Sequence, residues 1–406
     1  TMSQSVDDFI TQLQQNREKV PKKVTSKINE IARKAIEEMS EEAGKCLHDE
    51  LDDDKHTEEQ VKAIIELFPD SLSQVDDDGN LPIQRAAVSG HEPGDRSFVT
   101  FVPLLAKEGC RLGVGGEGER GGLFSLVPDG SDENTMQWFV SLLYCSDGDP
   151  AKEFDSKRVQ VLKKLRDMIL LKKADIEEYH LVNLSLHPSR RGTFEFFVSW
   201  HPDSLGVPAY FALKQFTYVG ERFEMALKAG MKHFPEYLGF LFWKVQGTTV
   251  IKNAFDKIAV STVMNIIRKC IPPTGNHLIL HHAVEHAPDL VDEIAQYYPD
   301  AVLLRDANGH TLSQVKFYIN LRRGSRTFKK HSTFFLEAAD DQVNSIDPKT
   351  GLCPFMLAAV NNKSDLAAVY YLLCRNPKLV GSHEKRGGKD SDESRSSRKR
   401  QREEIS

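Results

Sequence analysis

Hydrophobic side chains recur at helical spacing in several stretches of this chain. Across residues 21–43, Val24, Ile28, Ile31, Ala35 and Met39 fall three and four apart behind Pro21. That spacing predicts an amphipathic helix able to cap a larger body or to pack on a partner. Thr57 and Gln60 form a capping box ahead of Val61-Lys62-Ala63-Ile64-Ile65. Residues 101–109 and 364–373 carry apolar stripes that include the pairs Leu104-Leu105 and Leu372-Leu373. Three apolar runs stop alike, at Phe68-Pro69-Asp70-Ser71-Leu72, His201-Pro202-Asp203-Ser204-Leu205 and Tyr298-Pro299-Asp300-Ala301-Val302. Proline ends a helix there, at the same point of each unit.

One pattern occurs twice. Asp76-Asp77-Asp78-Gly79-Asn80-Leu81-Pro82-Ile83-Gln84-Arg85-Ala86-Ala87 returns as Asp347-Pro348-Lys349-Thr350-Gly351-Leu352-Cys353-Pro354-Phe355-Met356-Leu357-Ala358-Ala359. The Asp and Gly make a tight turn, because glycine accepts positive φ without steric cost. Proline suits the first helical position, where its missing N–H loses nothing. The alanine pair favours the helix and lets a neighbour approach closely. Gly90 ends the first of these helices.

Turn, short helix and second helix resemble the ankyrin repeat, in the divergent form found in diatoms and related algae. Asp76, Gly79, Pro82, Ala86 and Ala87 match its signature, as do Gly351, Pro354, Ala358 and Ala359, while Leu81 and Cys353 replace the capping threonine. A middle unit matches through Asn276-His277-Leu278-Ile279-Leu280-His281-His282-Ala283, with the turn Asp306-Ala307-Asn308-Gly309 following at the ankyrin period. The resemblance implies an all-α, helical repeat solenoid of about seven to nine irregular repeats. It implies a non-enzymatic scaffold that binds a protein partner through the repeat surface. The expected division is an N-terminal helical segment and acidic linker over 1–56, repeats over 57–380, and a charged tail over 381–406.

Composition changes this picture little. Forty per cent hydrophobic and 28% charged residues suit a globular protein, and a net charge of −6 gives no pull toward nucleic acid. No apolar run is long enough for a membrane span, and the opening residues do not read as a signal peptide. The six cysteines are scattered without CxxC pairs, which fits reduced thiols and a cytoplasmic, possibly nuclear, protein. The tail has eight Lys/Arg, six Asp/Glu and one aliphatic residue. Its cluster Arg398, Lys399, Arg400 and Arg402 reads either as a nuclear-localisation signal or as a solubilising end.

Candidate chemistry is sparse. Gly113-Val114-Gly115-Gly116-Glu117-Gly118 fits GxGxxG by letter, but a helical run precedes it where a dinucleotide site needs a strand. His277, His281, His282 and His286 form two i, i+4 pairs without an HExxH arrangement, so they read as structural, and neither metal nor cofactor is expected. Arg190-Arg191-Gly192-Thr193 and Arg322-Arg323-Gly324-Ser325 resemble basophilic kinase sites. Residues 157–173 predict a basic amphipathic helix with seven positive charges and one negative. Lys163, Lys164, Arg166, Lys172 and Lys173 there suit calmodulin or an acidic lipid surface, giving an alternative function as a regulatory adaptor. The other reading is a repeat helix with a solvated basic face.

Overall fold

The computed structural model describes residues 11, 15, 21–91, 95–143, 149–206, 219–245, 247–273, 277–312, 344–360 and 366–375. Among these residues the regular secondary structure is helical, apart from one two-stranded hairpin and two isolated bridges. The all-α expectation therefore holds. Contacts divide the chain into two compact units, Thr1–Ser204 and Leu205–Ser406. The division falls inside the stretch 57–380 read above as one array.

The first unit opens with α1 (Lys22–Lys45), which starts behind Pro21 as its pattern predicts. Only its end is packed. Ala43 and Gly44 are buried, and the chain runs on through a π turn, Cys46–Glu50, that buries Leu47. In α2 (Glu58–Leu67) the predicted capping box is present: Gln60 N–H donates to Thr57 Oγ1 at 3.3 Å and Thr57 N–H to Gln60 Oε1 at 2.9 Å. The Asp76 turn closes with Asp76 N–H on the Asn80 carbonyl at 3.0 Å and Gly79 at φ +84°. It leads into α3 (Pro82–Val88), where Ile83, Ala86 and Ala87 are buried. Leu81 has no side-chain acceptor to cap this helix, and only the reciprocal bond of a capping box is present, Leu81 N–H donating to Gln84 Oε1 at 2.7 Å. Then come α4 (Val102–Leu112), α5 (Thr135–Ser141), α6 (Asp149–Asp167), α7 (Lys173–Glu178), α8 (Leu181–Ser185) and α9 (Arg191–Trp200).

Polar rungs tie this unit's layers together. His48 Nε2 lies 3.0 Å from the Asn80 carbonyl, Gln84 Nε2 donates to the Leu126 carbonyl at 3.0 Å, and Gln137 Nε2 to the Tyr179 carbonyl at 3.4 Å. Gln84 and Gln137 hold the third position of α3 and α5 respectively, and each also accepts an N–H at its helix start. A side chain of one layer thus satisfies a backbone group of the next, which buried polar backbone requires.

The second unit holds α10 (Val219–His233), the hairpin β1 (Lys244–Val245) and β2 (Thr248–Thr249), α11 (Val250–Lys257), α12 (Val260–Cys270), α13 (Ile279–His286), α14 (Val291–Tyr297), α15 (Pro354–Ala359) and α16 (Leu366–Arg375). Its Asp306 turn repeats the Asp76 turn. Asp306 N–H donates to the His310 carbonyl at 3.0 Å, and Asp306 Oδ1 accepts from the Asn308 and His310 amides at 2.8 Å. In both units a proline packs on the turn glycine: a Cβ on Gly79 would lie 3.4 Å from Pro128, and one on Gly309 3.2 Å from Pro348. His310 stands between the turns, Nδ1 3.1 Å from Asp306 Oδ2 and Nε2 3.1 Å from Asp347 Oδ1.

Candidate interaction surface

The most distinctive local geometry begins where two glycines touch. In the second unit, Gly230 of α10 faces Gly239, and a Cβ on Gly230 would meet Gly239 Cα at 2.8 Å. No larger residue fits that approach. Gly239 is the middle of three consecutive left-handed residues, Leu238 at φ +48°, Gly239 at +62° and Phe240 at +67°. Positive φ on a branched or aromatic residue costs on the order of 1–3 kcal/mol and needs support from its surroundings. Leu238 and Phe240 are buried, which supplies it. The chain then turns through the hairpin and enters α11, with Val250 N–H on the Trp243 carbonyl at 3.0 Å and Ile251 N–H on the Leu241 carbonyl at 2.9 Å.

This turn displays aromatic rings. Tyr237 is 51% exposed and Trp243 44% exposed, and they flank the buried Phe240 ring. Phe240 stacks on Tyr237 at 6.4 Å between centroids and meets Trp243 edge-on at 4.4 Å, with Phe234 at 4.5 Å behind it. Lys232 and Lys244 are exposed at its margins, as is Glu236. Partial burial, and then the neighbouring Lys232 charge, lower the His233 pKa, favouring the neutral ring. Rigid aromatic side chains offer large contact area at low entropic cost, and they are enriched at protein interfaces.

The first unit contains the same frame with different side chains. A Cβ on Gly109 of α4 would meet Gly121 Cα at 2.9 Å. Arg120 at φ +49°, Gly121 at +71° and Gly122 at +86° form the left-handed triplet. Thr135 N–H reaches the Ser125 carbonyl and Met136 N–H the Leu123 carbonyl, both at 3.0 Å. By these bonds Ser125 corresponds to Trp243 and Leu123 to Leu241. Here the rim is polar and closed: Ser125 hydroxyl bonds to the Glu119 carboxylate. Arg120 pairs through Nη2 with Asp175 Oδ1 at 2.9 Å and lies 4.7 Å from the centroid of Phe124. Phe124 stacks in turn on Tyr179 at 4.9 Å. A hydrogen bond and charge from Asp175 raise the Arg120 pKa against some opposition from burial.

The residues singled out from sequence fall as follows. The basic helix ends at Asp167, with Ile169 left-handed at φ +62°, so Lys172 and Lys173 belong to the start of α7 rather than to one helix over 157–173. Within α6 the apolar face of Ala151, Phe154, Val161, Leu162 and Leu165 is buried in the unit. Even Arg158 is buried, 4.4 Å from the centroid of Phe154, and burial followed by the Arg190 charge lowers its pKa to about 9. The seam that calmodulin or a bilayer has to grip is therefore inside. Lys163 is exposed, Lys164 pairs with Glu58 at 2.5 Å, and Arg166 lies 5.7 Å over the ring of Phe196. The tail cluster Arg398, Lys399, Arg400 and Arg402 lies outside the described residues, as do residues 322–325 of the second kinase-like site.

Thr193 of the first kinase-like site is buried, its hydroxyl donating to Asp155 Oδ1 at 2.6 Å. His281 is buried and His282 half-buried, and their pKa values are lowered first by burial. Among the described residues no group of three His, Cys, Asp or Glu side chains is placed to hold a metal ion, and no helix is long and apolar enough to cross a membrane. The helix α4 runs directly into the glycine-rich stretch. A polar groove of about 440 Å³ near residues 95–97 mixes Asp52, Lys55, Arg96, Glu153 and Lys157, and so favours neither sign of ligand charge. No family model matches the chain, and no curated protein and no solved structure matches it.

Proposed function

We propose that this chain is a protein-binding scaffold of ankyrin-like repeats stacked as a helical solenoid, and that the rings of Tyr237 and Trp243 form its principal contact. The repeat reading is supported by the shared geometry of the Asp76 and Asp306 turns, each with a proline on its glycine. The binding reading rests on one observation: a buried, strained and glycine-locked turn holds two aromatic side chains half in water. Such anchors gain most when a partner covers them and excludes solvent. The test is affinity capture by the full chain against Tyr237→Ala/Trp243→Ala, with mass spectrometry of what is retained. The double variant loses its ring contacts with Phe240 and melts somewhat earlier, but it stays folded at the temperature of the assay while the retained proteins are lost. An identical captured set from a well-folded double variant refutes the assignment.

A further inference from the structure

The first helix carries an apolar face with nothing described against it. Val24 is 47% exposed and Ile31 60%, with Met39 and Ala35 exposed and Ile28 half-buried between them. At its far end the same helix continues into Ala43 and Leu47, which are buried in the first unit. About 18 residues, or about 27 Å of helix, thus stand clear of that packed end.

The charges on α1 are arranged unusually. Lys22, Lys23, Lys27, Arg33 and Lys34 lie within its first thirteen residues, against Glu30 alone. Glu37, Glu38, Glu41 and Glu42 lie within its last nine residues, against Lys45. No acidic residue occupies the first turn. This polarity opposes the helix macrodipole, which favours anions at the start and cations at the end. The pattern therefore does not serve the isolated helix. It is self-complementary when two such helices run antiparallel.

We propose that α1 pairs with α1 of a second copy of this chain, antiparallel about a two-fold axis beside Ile31. That register sets Val24 opposite Met39 and Ile28 opposite Ala35 in both directions. Lys23 and Lys27 border the stripe near its start, and Glu38 and Glu41 follow the same border near its end. Antiparallel pairing lays the basic border of each copy along the acidic border of the other. A closed two-fold contact of this kind uses the same patch on both chains. A parallel pair would place like charges together and is disfavoured.

The test uses the full chain, with mass followed by light scattering across a wide range of concentration. The wild type passes from one chain to two as concentration rises, more readily at low salt. Ile31→Glu, at an exposed position, stays a single chain. Lys23→Glu/Lys27→Glu and Glu38→Lys/Glu41→Lys are each single chains, and mixing them restores a two-chain species. Both charge variants improve the match to the helix dipole, so loss of pairing does not come from loss of helix. A wild type that remains one chain throughout overturns the proposal, whether the face is covered by the chain's own first twenty residues or takes up lipid vesicles instead. So does a dimer that survives Ile31→Glu, or a mixture that fails to reassociate.

Discussion

The frame around Gly121 and the frame around Gly239 share a backbone and differ in what they show to water. Both lock a left-handed triplet against a helix through paired glycines. The first spends its rim on internal bonds, Ser125 to Glu119 and Arg120 to Asp175. The second leaves Tyr237 and Trp243 exposed at equivalent places. The backbone requirement is thus separable from the surface: glycine positions set the path, and the residues beside them decide whether the turn closes on itself or faces outward.

Substitution of the locking glycines breaks the comparison most sharply. A Cβ at Gly121 collides with the Ala106 carbonyl and lies 2.6 Å from Cys110 N, all backbone. At Gly239 the closest atom is the movable Leu227 Cδ1 at 2.9 Å, with Leu227 O and Met231 N at 3.1 Å. Gly121→Ala therefore destabilises by about 3 kcal/mol and Gly239→Ala by about 2 kcal/mol, since overpacking and positive φ act together. Denaturant melts of the two variants measure the difference. Equal costs would show that helix and turn in the first unit relax more easily than the geometry implies.

Arg120→Ala is next, at about 2 kcal/mol. It leaves the buried Asp175 without its cation, and the figure is reduced because the Arg120 side chain is 24% exposed. Asp175→Asn together with Arg120→Ala recovers part of the loss, because the stranded charge is gone. A double variant no more stable than the single one argues against an electrostatic role for the pair.

The smallest effect is acid sensitivity of the second unit. Burial lowers the pKa of His281 and His282 below the ordinary value of about 6.5. The unfolded chain then takes up protons that the fold refuses, so their effect on stability is complete above about pH 6.5 and grows adverse as pH falls below it. His281→Gln reduces the drop in melting temperature between neutral and mildly acidic buffer. An unchanged drop would assign the sensitivity to other groups.

Much of the architecture was legible in the chain. The stripe of α1, the Thr57 capping box, the prolines at the starts of α3 and α15, and the buried Ala86-Ala87 pair all lie where spacing and propensity place them. The shared frame was not legible. Arg120, Leu238 and Phe240 adopt positive φ without being glycine, so composition gives no sign of it. Its glycine pairs and hairpins also differ in length, which removes any fixed period. Asp129-Gly130 belongs to a bridged turn from Leu126 to Asn134 that leads into α5. The basic run at 157–173 shows the same limit. Charge on paper does not reveal that Phe154 and Arg158 lie inside the unit, nor that Ile169 turns the chain before Lys172.

The polar rungs of the first unit have a consequence for synthesis. His48 leaves the ribosome 32 residues ahead of the carbonyl it meets, and Gln84 and Gln137 each precede theirs by 42. Each of these three side chains therefore emerges before its partner has been made. A layer acquires its final bonding only when the next has been translated, so maturation of this unit follows the order of its own message. A pause in translation within any such interval holds the preceding layer open for the length of the pause.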